Sequence, residues 1–388
     1  MTNYFSKICP ELLKVVSLNC KEKDYYNDCI VYSDDFLKLK KEVSKITNQI
    51  YEYPFIKAIG VRLSYNQIIK CAKVSIVKFI SKQTKVSAQI DVSKKILTLD
   101  NFYNKGIFGK DVTMAIIDTG INSHLDFVTP KNRIIKFVDL INKKTYPYDD
   151  NGHGTFVAGV ACGNGLVSNK KYSGIAPQAN IISIKALEKN GETGAYKILE
   201  AMQWVYDNKN KYNIRVVCMS FGSTPLDNQD PLIVGAEALW NLGIVVVAAA
   251  GNSGPDNITI KSPGYSNKII TVGGLDDKRR PDGSFKAELF DIAKFSSRGP
   301  AGQYFKPDVV APSVNIVGVA NNKELYTVMS GTSVATPMIA GICCLILSKY
   351  PLLTPDQLKV RLLRSCKEIT GDKNKEGFGV CNFNNFFI

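Results

Sequence analysis

Three short segments of this sequence crowd small residues around a single reactive side chain. Ala115-Ile116-Ile117-Asp118-Thr119-Gly120 sets a carboxylate at the end of an apolar run, and Asn151-Gly152-His153-Gly154-Thr155 sets an imidazole among glycines. Ser330-Gly331-Thr332-Ser333-Val334-Ala335-Thr336-Pro337 opens an apolar helical stretch with a hydroxyl. A serine hydroxyl is a useful nucleophile only when an imidazole removes its proton, and that imidazole needs a carboxylate to hold its tautomer and offset its charge. Asp118, His153 and Ser333 supply those three groups. Glycines beside His153 and Ser333 let a substrate backbone come close, and the free N–H groups of a helix opening at Ser333 favour an oxyanion forming there. The chain has two histidines, and His124 lacks the glycine-rich surroundings, so His153 is the base. Asp149 and Asp150 read as loop-shaping or solvated acids.

Groups so far apart in sequence need a rigid frame. Residues 114–117, 181–184, 216–219, 244–248 and 269–272 are near-continuous apolar runs. Strands apolar on both faces belong to a mainly parallel sheet covered by helices on each side, a three-layer α/β architecture. Residues 196–207 read as a crossover helix, and Asp118 falls at the carboxyl end of a strand, where such sheets carry their sites. The region before it differs. A strand at 30–33, a capped helix at 34–46, a strand at 57–63, a short helix at 66–71 and a strand at 74–80 predict a small α+β unit. The polar stretch 81–89 reads as a linker. The expected organisation is an N-terminal extension over 1–27, an α+β domain over 28–85 and an α/β domain over 86–388.

Composition fits that frame. Of 388 residues, 45% are apolar and 22% charged, enough to fill a sizeable core and too apolar for wholesale disorder. The net charge of +14 is spread without a dense basic block, so no nucleic-acid partner is expected; the first 88 residues carry +7 of it, which marks them as a unit apart. The N-terminus shows no export signal, and no run approaches the apolar length that spans a bilayer, so no membrane association is expected. Ten cysteines lack metal-site or CxxC spacing, and Cys343-Cys344 lie in an apolar run. They read as reduced, buried thiols of a cytoplasmic protein.

The order Asp, His, Ser, with Asp-Thr-Gly, His-Gly-Thr and Gly-Thr-Ser-x-Ala-x-Pro around the three, resembles the subtilisin-like serine proteases, from about residue 101 to 380. The resemblance implies a subtilisin-like fold, an acyl-enzyme endopeptidase mechanism on polypeptide substrates, and Asn252 of Ala250-Gly251-Asn252-Ser253-Gly254 as oxyanion donor beside the Ser333 N–H. It implies that Ser220-Phe221-Gly222 and the loop containing Thr193 and Gly194 wall the substrate cleft. Their side chains suggest broad specificity. By the same resemblance the α+β domain is a propeptide, an intramolecular inhibitor and folding aid removed by self-cleavage between Ser81 and Ile90. Phe156 stands where a second histidine is common, and residues 162–174 are short for the family's calcium loop. No cofactor is expected for the chemistry, a structural calcium is left open, and oligomeric state is not legible. The competing reading is a catalytically silent relative that binds or regulates.

Overall fold

The computed structural model describes residues 4–10, 12–13, 26–82, 90–226, 230–280, 282–322, 324–384 and 386. The chain divides into two compact units, Met1–Val86 and Ser87–Ile388. The first unit holds β1 (Tyr26–Tyr32), α1 (Phe36–Val43), β2 (Ile50–Tyr53), β3 (Ala58–Ser64), α2 (Tyr65–Lys73) and β4 (Phe79–Lys82). The strands form an antiparallel sheet in the order β2-β3-β1-β4, the split βαβ arrangement. Local chemistry starts each helix. Asp35 accepts the Lys38 N–H at the front of α1, and Ser64 with Gln67 closes a capping box at α2.

Residues Asn27, Cys29 and Val31 alternate inward along β1, so one face of the sheet is buried. Ile8, Cys9 and Leu12 belong to the same core as Val31, Leu39, Leu63 and Ile80. The described part of the expected 1–27 extension is therefore packed into this unit, and its first strand begins at Tyr26. The strand expected over 74–80 shortens to β4, because Val74 ends α2 with its N–H on Cys71 and a turn follows through Val77. Most of the expected linker, residues 83–89, lies outside the described residues.

The second unit is the predicted layered α/β fold. Its strands are β5 (Thr113–Asp118), β6 (Ile134–Asp139), β7 (Asn180–Lys185), β8 (Ile214–Met219), β9 (Val245–Ala249), β10 (Ile270–Asp276), β11 (Asp291–Ile292), β12 (Val309–Pro312), β15 (Cys366–Lys367) and β16 (Val380–Cys381). They run in the order β15-β16-β12-β10-β9-β8-β5-β7-β6, with β11 paired to β10. All neighbours are parallel except β15–β16 and β10–β11. β13 (Ile316–Val319) and β14 (Tyr326–Met329) form a separate antiparallel hairpin. All six residues of β5 are buried, as are all five of β9, which is why these strands read as unbroken apolar runs.

Helices that cover the sheet include α3 (His153–Cys162), α4 (Ala195–Tyr212), α5 (Pro231–Asn241) and α6 (Thr332–Lys349). α3 packs on α6, α4 packs on α5, and α6 lies along β8, β9 and β10. By length and apolarity alone α6 passes as a membrane span, longer than the sequence reading allowed. Yet 83% of it is buried, which makes it the central core helix.

Candidate active site

Parallel register brings the site's segments to one edge. Ile117 of β5 pairs with Met219 of β8, which pairs with Ala248 of β9. Asp118, Ser220 and Gly251-Asn252 therefore leave the sheet side by side at its carboxyl edge. The helices α3 and α6, opened by the other two candidate residues, pack on each other against this sheet.

Asp118 is 1% exposed, and its Oδ1 accepts the Thr119 N–H at 2.7 Å and lies 2.8 Å from His153 Nδ1. A carboxylate only accepts, so Nδ1 carries the proton and Nε2 keeps its lone pair for a substrate-side proton. The close approach depends on glycine. A Cβ on Gly154 would fall 2.3 Å from the Gly120 carbonyl oxygen and 3.1 Å from Asp118 Cβ. Asp149 fixes the start of α3, with one oxygen accepting from Asn151 and Gly152 and the other from the backbone and hydroxyl of Thr155. Burial pulls the His153 imidazole toward its neutral form. The Asp118 charge, its hydrogen bond and the Asp149 charge outweigh this and raise the group above its ordinary 6.5.

The Ser333 hydroxyl and the Asn252 side chain flank one bare Cα. A Cβ on Gly331 would lie 3.1 Å from Ser333 Oγ and 3.3 Å from Asn252 Nδ2. Asn252 Oδ1 accepts from both the N–H and the hydroxyl of Thr332 at 2.9 Å, and Thr332 Oγ1 accepts the Gly251 N–H. With its carbonyl end engaged by Thr332, Asn252 keeps its amide hydrogens for another acceptor. The Ser333 N–H belongs to the first turn of α6, whose N–H groups have no intrahelical acceptor. A serine hydroxyl beside an amide and a helix N-terminus has the groups that attack on a carbonyl requires.

The residues expected to wall a substrate cleft are held from two directions. Ser220, Phe221 and Gly222 follow β8 directly, and among the described residues no backbone hydrogen bond engages Phe221 or Gly222. Gly194 caps α4 next to the half-buried Thr193, and Asn151 ties this loop to the His153 turn by donating to Lys189 O at 2.8 Å. His124 stands apart. It is fully buried, its Nδ1 accepts the Asp126 N–H at 3.1 Å, and burial lowers its pKa. Phe156 is fully buried within α3.

Two contributors were not singled out by the sequence. Lys185 is fully buried at the end of β7, and its Nζ donates to Thr119 O at 2.7 Å, Asp150 Oδ1 at 2.6 Å and Leu187 O at 3.0 Å. It bolts the Asp118 strand to the loop before His153. The one signal was a lysine directly after the apolar run 181–184. Thr332, which orients Asn252, had no signal beyond its place in the Ser333 motif.

Among the described residues no group of three or more His, Cys, Asp or Glu is set to hold a metal. Around the 162–174 segment the buried Arg133 guanidinium donates to the carbonyls of Asp126, Cys162 and Ala179. The Asp126 carboxylate accepts from Val167 and Tyr326. These oxygens are already engaged by donors of the chain and do not fit calcium, which needs a shell of free oxygens.

Residues 109–379 match the subtilase family, Peptidase S8. The chain belongs to this family. By family it is thus a subtilisin-like serine protease. It is 43% identical over 300 residues to the serine protease AprX of Bacillus subtilis, across 71% of this chain and 66% of that protein. It is 29% identical to the thermostable alkaline protease of Halalkalibacterium halodurans, across 88% of this chain and 86% of that protein. Of solved subtilase structures, Sphericase superposes with a TM-score of 0.59 at 27% identity, covering 72% of this chain and 96% of its own. A cold-adapted subtilisin-like proteinase superposes at 0.56 and 27%, covering 71% and 88%.

Proposed function

We propose that this subtilase is an active endopeptidase that cleaves polypeptides through an acyl-enzyme on Ser333. His153 is the general base, then the acid for the leaving amine; Asp118 orients it and offsets its charge. The Asn252 amide and the Ser333 N–H receive the oxyanion. The substrate backbone adds as a strand to Ser220–Gly222, with Thr193 and Gly194 on the other wall. The observation that carries this reading is the 2.8 Å bond between His153 Nδ1 and Asp118, with the proton fixed on the side away from the substrate. A catalytically silent relative has no need of that bond or of an Asn252 amide held for donation.

We further propose that Met1–Val86 is the propeptide of a self-processing zymogen, inhibiting in cis until cleaved between Ser81 and Ile90. Its support is a separate compact unit with its own core. The chemistry takes no cofactor in this reading, and Arg133 serves the 162–174 loop in place of a metal. The thiols stay reduced in the cytoplasm in this reading, most of the described cysteines being buried as small hydrophobes.

The test is intact mass of the wild type beside Ser333→Ala after incubation. Loss of roughly the first 85 residues from the wild type alone supports self-processing. Equal processing of both, or an active enzyme that retains residues 1–80 covalently, contradicts it.

A further inference from the structure

Lys261 lies between the two segments that flank the candidate nucleophile. Its N–H donates to Ala250 O at 2.9 Å, one residue before Gly251. Its neighbour Ser262 exchanges backbone hydrogen bonds of 3.0 and 2.9 Å with Ser223, one residue after Gly222. Residue 261 is thereby stitched between the chain leaving β8 and the chain leaving β9.

The side chain covers both glycines. A Cβ on Gly222 would fall 2.6 Å from Lys261 Cβ, and one on Gly251 would fall 2.4 Å from Lys261 Cγ. The ammonium reaches Thr224 Oγ1 at 3.3 Å on the exposed rim, and among the described residues no carboxylate lies within 4.0 Å of it. Among the described residues, this positive charge on a packed stem has no counter-ion.

In the peptidase reading, a substrate strand paired with Ser220–Gly222 and carrying its carbonyl to Ser333 would direct that residue's side chain toward these two segments, where the Lys261 stem lies against Gly222 and Gly251 and the ammonium lies near Thr224. We infer that Lys261 sets specificity here, favouring Glu or Asp as the residue whose carbonyl is attacked and leaving little depth for large aromatic rings. The inference rests on the peptidase reading above, and it is narrower than the broad specificity suggested by the wall residues alone.

The test uses protein expressed from the full chain and peptides that differ only at that residue: Glu, Gln, Lys or Phe. For a partly exposed ion pair the wild type is expected to show kcat/KM about fivefold higher for Glu than for Gln. The Lys peptide is expected to be the poorest, and the Glu advantage to shrink in high salt. Lys261→Gln equalises Glu and Gln; Lys261→Glu reverses the order of Glu and Lys; Lys261→Ala gains on Phe. A wild-type Glu to Gln ratio of one or less, or a ratio unmoved by the variants, overturns the inference while any Ser333-dependent hydrolysis keeps the peptidase reading. Absence of Ser333-dependent hydrolysis of all four peptides overturns both. Should the variants fail to fold, the wild-type ratios and their salt response decide.

Discussion

His153 is where opposing influences on the chemistry meet. Burial disfavours its charge, while Asp118 and Asp149 favour it more strongly, so the group sits above 6.5. In its proposed role as base His153 works only when neutral, and a raised pKa means protonation begins earlier on acidification. Activity measured as kcat/KM is therefore expected to fall on the acid side with a midpoint above 6.5, and a midpoint below it contradicts the stated balance. Asn252→Ala is expected to lower kcat by about a hundred- to a thousandfold with little change in KM, a magnitude taken from an oxyanion donor of the subtilisin family itself. Asp118, His153, Ser333 and Asn252 were legible because each sits in a tight motif of small residues. Lys185, Thr332 and Lys261 were not, because their roles come from contacts made only after strands far apart in sequence pair.

At the scale of elements, the site depends on how closely α3 docks on the end of β5. Gly154 permits that approach and Lys185 holds it, joining Thr119, Asp150 and Leu187 through one ammonium. Lys185→Met keeps the length but leaves two carbonyls and a carboxylate without their donor. It is expected to lower stability by about 2 kcal/mol and kcat with it, read by denaturant unfolding and peptide hydrolysis. Wild-type stability in that variant contradicts the bolt. Arg133→Ala removes the guanidinium from three carbonyls, of which Asp126 O keeps the Asn164 N–H, and is expected to cost about 3 kcal/mol, a loss that added calcium does not restore. The central strands were legible from continuous apolar runs. β2 was missed because its four residues are half-buried or exposed without alternation, and β6 because its burial is irregular.

The whole molecule combines a sheet built from distant strands with a smaller unit of mostly local pairing. Parallel pairings such as β10–β12 and β12–β16 demand long loop closures before any contact rewards them, which makes such folds slow to form. Residues 87–388 diluted from denaturant are expected to recover activity slowly and poorly alone, and faster when Met1–Val86 is supplied; equal recovery in both cases contradicts a folding role. The central claim is that Ser333 is a nucleophile activated by His153. Its most direct measurement is labelling with a fluorophosphonate followed by peptide mapping. A single adduct on Ser333, absent in Ser333→Ala and strongly reduced in His153→Ala, is the expected result. An adduct elsewhere, or labelling of Ser333 that survives loss of His153 undiminished, contradicts the account.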